Sequence, residues 1–341
     1  MNSELTVAQI GVGYWGPNLL RNLVSNDRCH VKLAVDLSLD RRDFVQSLYP
    51  DIKVSDDSEE VFSDPAIDAV VISTPVKSHF DLSIRALKAG KHILVEKPMA
   101  TTVKEVEQIG ILAEDRNLIA MAGHTFLYNS AVCYVKKIID SGELGDIRYI
   151  YSQRVNLGRI RLDVDALWNL APHDISIIHY WLNEPAPLYV KRTGMAYVQK
   201  NIEDVSFLNI EYPKNILVNI HVSWLDPHKV RRMTVVGSEK MVVYDDLAEN
   251  KVTVYDKGID RMAVLGENMD FDQPEVSYFN HRSGHATIPE IKWEEPLQVE
   301  IEHFVDCVMG GVPCLTGVGH AKKVVSVLEQ ASTEPVLFEA F

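Results

Sequence analysis

Three groups of residues in this chain of 341 have the types and spacing to do chemistry. The first is Gly11-Val12-Gly13-Tyr14-Trp15-Gly16, a Gly-x-Gly-x-x-Gly run directly after a short apolar stretch. At this spacing Gly11 permits a tight strand-to-helix turn, Gly13 leaves room for phosphate oxygens, and Gly16 lets the helix lie close to the strand. Asp36 ends a second apolar stretch. Its carboxylate suits both ribose hydroxyls of an adenosine and repels a 2′-phosphate, which points to NAD rather than NADP. The second group centres on Lys97, which closes an apolar run and precedes Pro98. Burial and a neighbouring positive charge disfavour the ammonium form of such a lysine, so it can exchange a proton with a hydroxyl. The third is Asn169 and His173, one helical turn apart and therefore on one helix face, with Asp174 and Asp165 close by in sequence.

The elements that must position these residues follow from periodicity. Apolar runs at 7–10, 31–35, 69–73 and 92–95 alternate with helical stretches at 17–24 and 80–89, the last stopped by Gly90, with connections short enough for βαβ crossovers. This rhythm predicts a doubly wound (Rossmann) parallel sheet over residues 1–121, in an α/β fold. Past Ala122 the rhythm changes. Stretches at 147–154, 205–212, 216–223, 233–236, 241–244 and 252–255 read as strands in close succession, some joined by turn chemistry such as Tyr212-Pro213-Lys214-Asn215. A second domain over 122–341, α+β with a large, mostly antiparallel sheet, is expected from them. Residues 257–295 are polar and poorly periodic and read as a long loop. The stretch 300–331 returns to helix and is expected to pack back on the first domain.

Composition narrows the class of partner. A net charge of −14 disfavours nucleic acid or an anionic membrane as the main partner, and a small-molecule substrate is expected instead. The first residues lack a basic, apolar leader pattern, and no apolar run is long enough to span a bilayer, so the expected location is the cytoplasm. Cys29, Cys133, Cys307 and Cys314 form no C-x-x-C pair and read as reduced thiols. His281 and His285 lie in a polar, glycine-containing stretch without a third ligand, so no metal site is expected. A broad sheet with one open face favours self-pairing, and a homodimer or homotetramer is expected.

Taken in order, Gly11-x-Gly13-x-x-Gly16, Ser73-Thr74-Pro75 with His79, Glu96-Lys97-Pro98 and the 168–180 segment with His173 resemble the glucose-fructose oxidoreductase and inositol dehydrogenase (Gfo/Idh/MocA) superfamily. The closing segment, Glu295-Pro296-Leu297 with Glu300, His303-Phe304, Cys307, Pro313 and Thr316-Gly317, is similar too, so the resemblance spans nearly the whole chain. It implies hydride transfer between NAD and a carbinol carbon. On that resemblance Val12, Tyr14, Trp15, Ser73, Thr74, Pro75, His79 and Glu96 join the glycines and Asp36 around the cofactor. Lys97 moves the hydroxyl proton, and His173 orients or protonates the reacting oxygen.

Two departures bear on substrate. Many family members carry Asp where this chain has Asn169, and Asn followed four residues on by His resembles the branch that oxidises the C3 hydroxyl of UDP-linked N-acetylhexosamine-type sugars. Where many members carry arginines, this chain has Phe126 and Leu127, leaving His124 and Tyr128 as candidate substrate contacts beside Asp174. Arg154, Arg159 and Arg161 form a basic cluster suited to a diphosphate. The expected activity is that of a nucleotide-sugar 3-dehydrogenase. The alternatives are an inositol or free-sugar dehydrogenase, which needs no diphosphate handle, and a catalytically silent NAD-binding regulator.

Overall fold

The short apolar runs of the first third assemble into a six-stranded parallel sheet in a computed structural model that describes residues 4–261 and 279–333. Its strands are β1 (Leu5–Ile10), β2 (Cys29–Val35), β3 (Lys53–Ser55), β4 (Ala69–Ile72), β5 (His92–Glu96) and β6 (Ala120–Gly123), in the order β3-β2-β1-β4-β5-β6. The reversal of direction beside β1 makes the doubly wound arrangement, with a crevice at the strands' carboxyl ends between β1 and β4.

Both faces of a parallel sheet must be buried, which is why these strands read as unbroken apolar runs. Ala8, Ile10, Leu33, Val70, Ile72, Ile93 and Val95 point to one face and Leu5, Val7, Val31, Val71 and Leu94 to the other. Helices α1 (Gly16–Val24), α2 (Leu39–Leu48), α3 (Glu59–Ser63), α4 (His79–Lys88) and α5 (Val103–Asp115) provide most of the cover. Residues 4–130, 167–184 and 293–333 belong to one compact unit and 131–166, 185–261 and 279–292 to a second. The first unit thus takes in nearly all of α7 (Ala166–Trp181), together with α8 (Pro296–Gly310) and α9 (Val318–Thr333) from the far end of the chain; α6 (Ser130–Asp140) lies almost wholly in the second. Ala321 and Val325 of α9 join the core on the α4–α5 face, and Leu297, Ile301, Phe304 and Val305 of α8 join the core on the α1 face.

The second unit is built on an eight-stranded sheet: β7 (Ile147–Leu157), β8 (Tyr189–Met195), β9 (Val205–Tyr212), β10 (Ile216–Ser223), β11 (Leu225–Gly237), β12 (Met241–Asp245), β13 (Val252–Arg261) and β14 (Phe279–Thr287). The order is β14-β13-β12-β11-β7-β10-β9-β8, with β7 and β10 parallel and the other neighbours antiparallel. Ile150, Leu208, Ile210, Val218, Ile220, Val222 and Val235 are buried on one face.

The loop expected over 257–295 is corrected here. β13 runs on to Arg261 and pairs antiparallel with β14, so His281 and His285 lie on an exposed edge strand. An edge strand such as β14 lacks the apolar alternation that marks a half-buried one, and its polar side chains guard an open edge. β8 also escapes the periodic reading because Arg192, buried within it, pairs with Asp165 and Glu203.

Candidate active site

The turn after β1 is tied down from beneath. Gln9, a buried amide in an otherwise apolar strand, donates through Nε2 to the carbonyls of Gly11 and Gly16, each at 2.9 Å, and Ser73 Oγ donates to Gly11 O at 2.6 Å. Gly11 has φ +92°, and a Cβ there would stand 2.7 Å from Ser73 O. A Cβ on Gly16 would stand 2.7 Å from Gly11 O, whereas one on Gly13 would meet nothing within 4 Å. The outer two glycines therefore serve close packing, and Gly13 opens onto the space a diphosphate needs, at the N-terminus of α1. A dinucleotide fits this cradle.

Asp36 is oriented before any ligand arrives. Its Oδ2 accepts from Val12 N at 2.7 Å and its Oδ1 from Ser38 N at 2.9 Å, which fixes the carboxylate at the end of β2 and leaves further lone pairs for ribose hydroxyls. Arg42 is held beside it: Nη1 donates to the carbonyls of Asp36 and Leu37, and the guanidinium pairs with Asp56.

The loops after β4 and β5 meet at His79. Its ring lies between Thr74 O, at 2.8 Å from Nε2, and Pro98 O, at 2.9 Å from Nδ1, and burial lowers its pKa. His79 thus locks the Ser73-Thr74-Pro75 segment against Glu96-Lys97-Pro98, whose Lys97–Pro98 peptide is cis. Lys97 Nζ donates to Asn169 O on α7 at 2.8 Å. Pro172 lies inside that helix and lacks the backbone N–H that would otherwise reach the carbonyl of Trp168, next to Asn169. Phe126, in the 3-10 turn after β6, meets the His173 ring edge to face at 5.0 Å. Lys97, Asn169, His173 and Phe126 are thereby gathered in one unit from three distant parts of the sequence.

The other expected residues differ in their surroundings. His124 is buried, its ring 5.1 Å from that of His320, and its pKa is pushed well below the usual value, chiefly by burial and further by His320 and Lys97. Tyr128 is buried, its hydroxyl 3.0 Å from Thr316 Oγ1. Asp174 is buried in α7. The three arginines belong to the second unit and differ in state. Arg154 is buried in β7, Arg161 forms a two-point pair with Asp163 at 2.9 and 2.7 Å, and Arg159 is exposed.

Sequence reasoning missed Gln9 and Glu300, although a polar side chain in a strand that must be buried was the available signal for the first. Glu300 is fully buried on α8 and accepts from Thr125 Oγ1 at 2.7 Å. His303, Cys307 and Cys314 bring their ligand atoms within 4.8 Å of one another. His303 Nε2 already accepts from Leu315 N at 3.0 Å, and burial raises both thiols, that of Cys314 to about 12, so the group is internally bonded and the thiols stay protonated.

A glycine turn that cradles a diphosphate, a fixed Asp for the ribose and a lysine at the crevice define an NAD-binding oxidoreductase. Residues 5–124 match the model of the oxidoreductase family with an NAD-binding Rossmann fold, and residues 132–243 match the GFO/IDH/MocA C-terminal domain. The chain belongs to the GFO/IDH/MocA family. It is 25% identical over 334 residues to scyllo-inositol 2-dehydrogenase (NAD(+)) of Bacillus subtilis, covering 93% of this chain and 90% of that one. With the scyllo-inositol 2-dehydrogenase (NADP(+)) of the same organism it is 32% identical over 128 residues, only 35% of that protein's length. The solved UDP-N-acetylglucosamine 3-dehydrogenase of Acidithiobacillus ferrooxidans has the same fold, with TM-score 0.80, 20% identity, and coverage of 96% of this chain and 97% of that one.

Asp36→Ala removes the acceptor for the ribose and the repulsion of a 2′-phosphate together. The kcat/KM preference for NAD over NADP should fall by about ten- to a hundredfold, the worth of one charge-assisted contact, in initial-rate assays with both cofactors. An unchanged preference would remove Asp36 from cofactor selection.

Proposed function

We propose that this oxidoreductase is an NAD-dependent dehydrogenase of a sugar ring hydroxyl, with C3 of a nucleotide-linked hexose as the substrate its site fits best. The observation that carries this reading is the docking of Lys97 on the α7 turn that also presents Asn169 and His173. The bound nicotinamide supplies the hydride acceptor or donor. Lys97 takes the hydroxyl proton as hydride leaves the same carbon, and the loop bearing Thr74 and Pro75 flanks the ribose next to it. An amide at Asn169 cannot pass on a proton as a carboxylate would, so proton transfer falls to Lys97, with His173 holding the reacting oxygen. The Asn-x-x-x-His pattern and the fold shared with a UDP-N-acetylglucosamine 3-dehydrogenase support the nucleotide-sugar branch.

A second reading, an inositol or free-sugar dehydrogenase, is favoured by the pairing of Arg161 with Asp163 and the burial of Arg154, which leave Arg159 as the exposed cation of that cluster. The inositol dehydrogenases among its relatives point the same way. Presence of both Lys97 and His173 at one site weighs against a silent regulator. We further propose a cytoplasmic location; among the described residues no helix is long and apolar enough to cross a membrane. Copies of the chain are proposed to pair through the outer face of the eight-stranded sheet. There Tyr149, Tyr151, Phe207 and Leu217 are exposed on neighbouring strands, with Leu217 in register with Tyr149.

Hydride transfer to NAD measured with UDP-sugars, dTDP-sugars, inositols and free hexoses separates the readings. Lys97→Met should retain the fold and NADH binding while kcat falls about a hundredfold, as loss of a general acid–base group does. Retention of half the wild-type turnover would sink the assignment of Lys97. Arg159→Ala should raise KM for the nucleotide sugar about tenfold at nearly constant kcat if Arg159 holds the diphosphate. Wild-type KM together with no inhibition by UDP would select the free-polyol reading. For the assembly, Phe207→Glu with Leu217→Glu should lower the mass measured by light scattering to that of a monomer; a mass unchanged from wild type would exclude this face.

A further inference from the structure

β5 ends on Glu96, and the surrounding chain is shaped to its carboxyl. Across the sheet Glu96 is in register with Gly123, where a Cβ would stand 3.3 Å from both Glu96 Cα and Oε1, so the glycine keeps the carboxyl uncrowded. Glu96 Oε2 accepts from Lys97 N at 3.2 Å, and the Trp15 side chain, from the glycine turn, donates to the same carboxyl. Glu96 is thus joined both to the glycine turn, through Trp15, and to Lys97, its neighbour in the chain, and it is half-buried. Behind it stands Glu300, fully buried, with Oε2 on Thr125 and a buried Oε1 that has no hydrogen-bond partner among the described residues. The charge of Glu96 opposes ionisation of Glu300. Two carboxyl groups sharing such surroundings do not both ionise, and their protons come off in two separated steps.

We propose that Glu96 and Glu300 act as one carboxyl pair carrying a single negative charge, on Glu96, beside the nicotinamide, so that the site distinguishes the cationic oxidised ring from the neutral reduced one. This rests on the nicotinamide lying at Lys97, as in the reading above, and not on the identity of the sugar. Burial raises Glu300 well above the usual carboxylate range and holds it neutral. Burial also raises Glu96 to about 7, against the opposing pull of Lys97 and of the donors Lys97 N and Trp15. The other groups around the pair are Thr125, which does not titrate, Tyr128 and Cys314 on the Glu300 side, which burial keeps protonated, and the histidines near Lys97, His79 and His124, which burial holds neutral. The sign of the effect follows. Binding the cationic ring favours ionised Glu96 and so lowers its pKa, and affinity for oxidised NAD rises as pH climbs through about 7. Affinity for the reduced form stays nearly level.

Calorimetric Kd values for NAD+, NADH and ADP-ribose between about pH 6 and pH 8.5 test this without turnover. In the wild type the ratio Kd(NADH)/Kd(NAD+) should rise about tenfold over that range, the linkage equivalent of a one-unit pKa shift. Glu96→Gln should make the ratio independent of pH and weaken NAD+ about tenfold at the upper end while ADP-ribose is unaffected. Glu300→Gln should preserve the trend, because an amide stands in for the neutral acid. A level ratio in the wild type overturns the proposal and needs no variant to fold. Equal weakening of all three ligands by Glu96→Gln, or loss of the trend in Glu300→Gln, overturns it as well. Failure of ADP-ribose to bind the wild type would instead overturn the placement of the cofactor in the glycine turn, and the proposal with it.

Discussion

A parallel sheet cannot leave a face in water, and most of this protein's site depends on that requirement. With both faces apolar, the six-stranded sheet must be covered twice over, and helices α8 and α9 from the end of the chain complete the cover that the local crossovers begin. Their arrival is what delivers chemistry. α8 sets Glu300 under Thr125, and the segment before α9 extends the edge at β6, where Ala122 N donates to Thr316 O at 2.8 Å. α9 carries His320 to His124 and into hydrogen bonds with Ser176 at 2.8 Å and Glu184 at 2.7 Å.

The same packing controls charge. The chain is strongly acidic, yet several titratable groups near Lys97 are held neutral: His79 and His124 by burial, and Glu300 by burial and by the charge of Glu96, which itself adjoins Lys97. His179 is pushed down to about 3 by burial and by His320, while Glu184, bonded to His320 and Lys323 toward the surface, is drawn down to about 2. Lys97 Nζ donates to the backbone carbonyl of Asn169, and its charge acts on the neighbouring Glu96 carboxyl.

How much was legible in the residues varies with the kind of evidence each element leaves. The parallel sheet announced itself because burial on both faces demands unbroken apolar runs, and the glycine turn because close backbone approach at Gly11 and Gly16 excludes every larger residue. The strands of the second sheet were legible where one face is buried, as in β9 and β10. β8 and β14 were not, since a buried Arg192 satisfied by two carboxylates and an exposed polar edge strand both lack apolar alternation. The basic cluster illustrates a different limit. Arg154, Arg159 and Arg161 look alike in sequence, but one is buried, one is paired and one is exposed.

The sequence by itself determined the cofactor chemistry of this protein: the spacing of Gly11, Gly13, Gly16 and Asp36, and the lysine that ends β5, are local features whose geometry follows from a strand, a turn and a helix. Which residues meet Lys97, His173, His124 and Glu96 was decided only by the tertiary structure. Asn169, Phe126, His320 and Glu300 reach their places through the packing of α7, α8 and α9 and the turn after β6. Contacts between residues so far apart in the chain are set by which faces the sheet must bury, a constraint that no stretch of sequence carries alone.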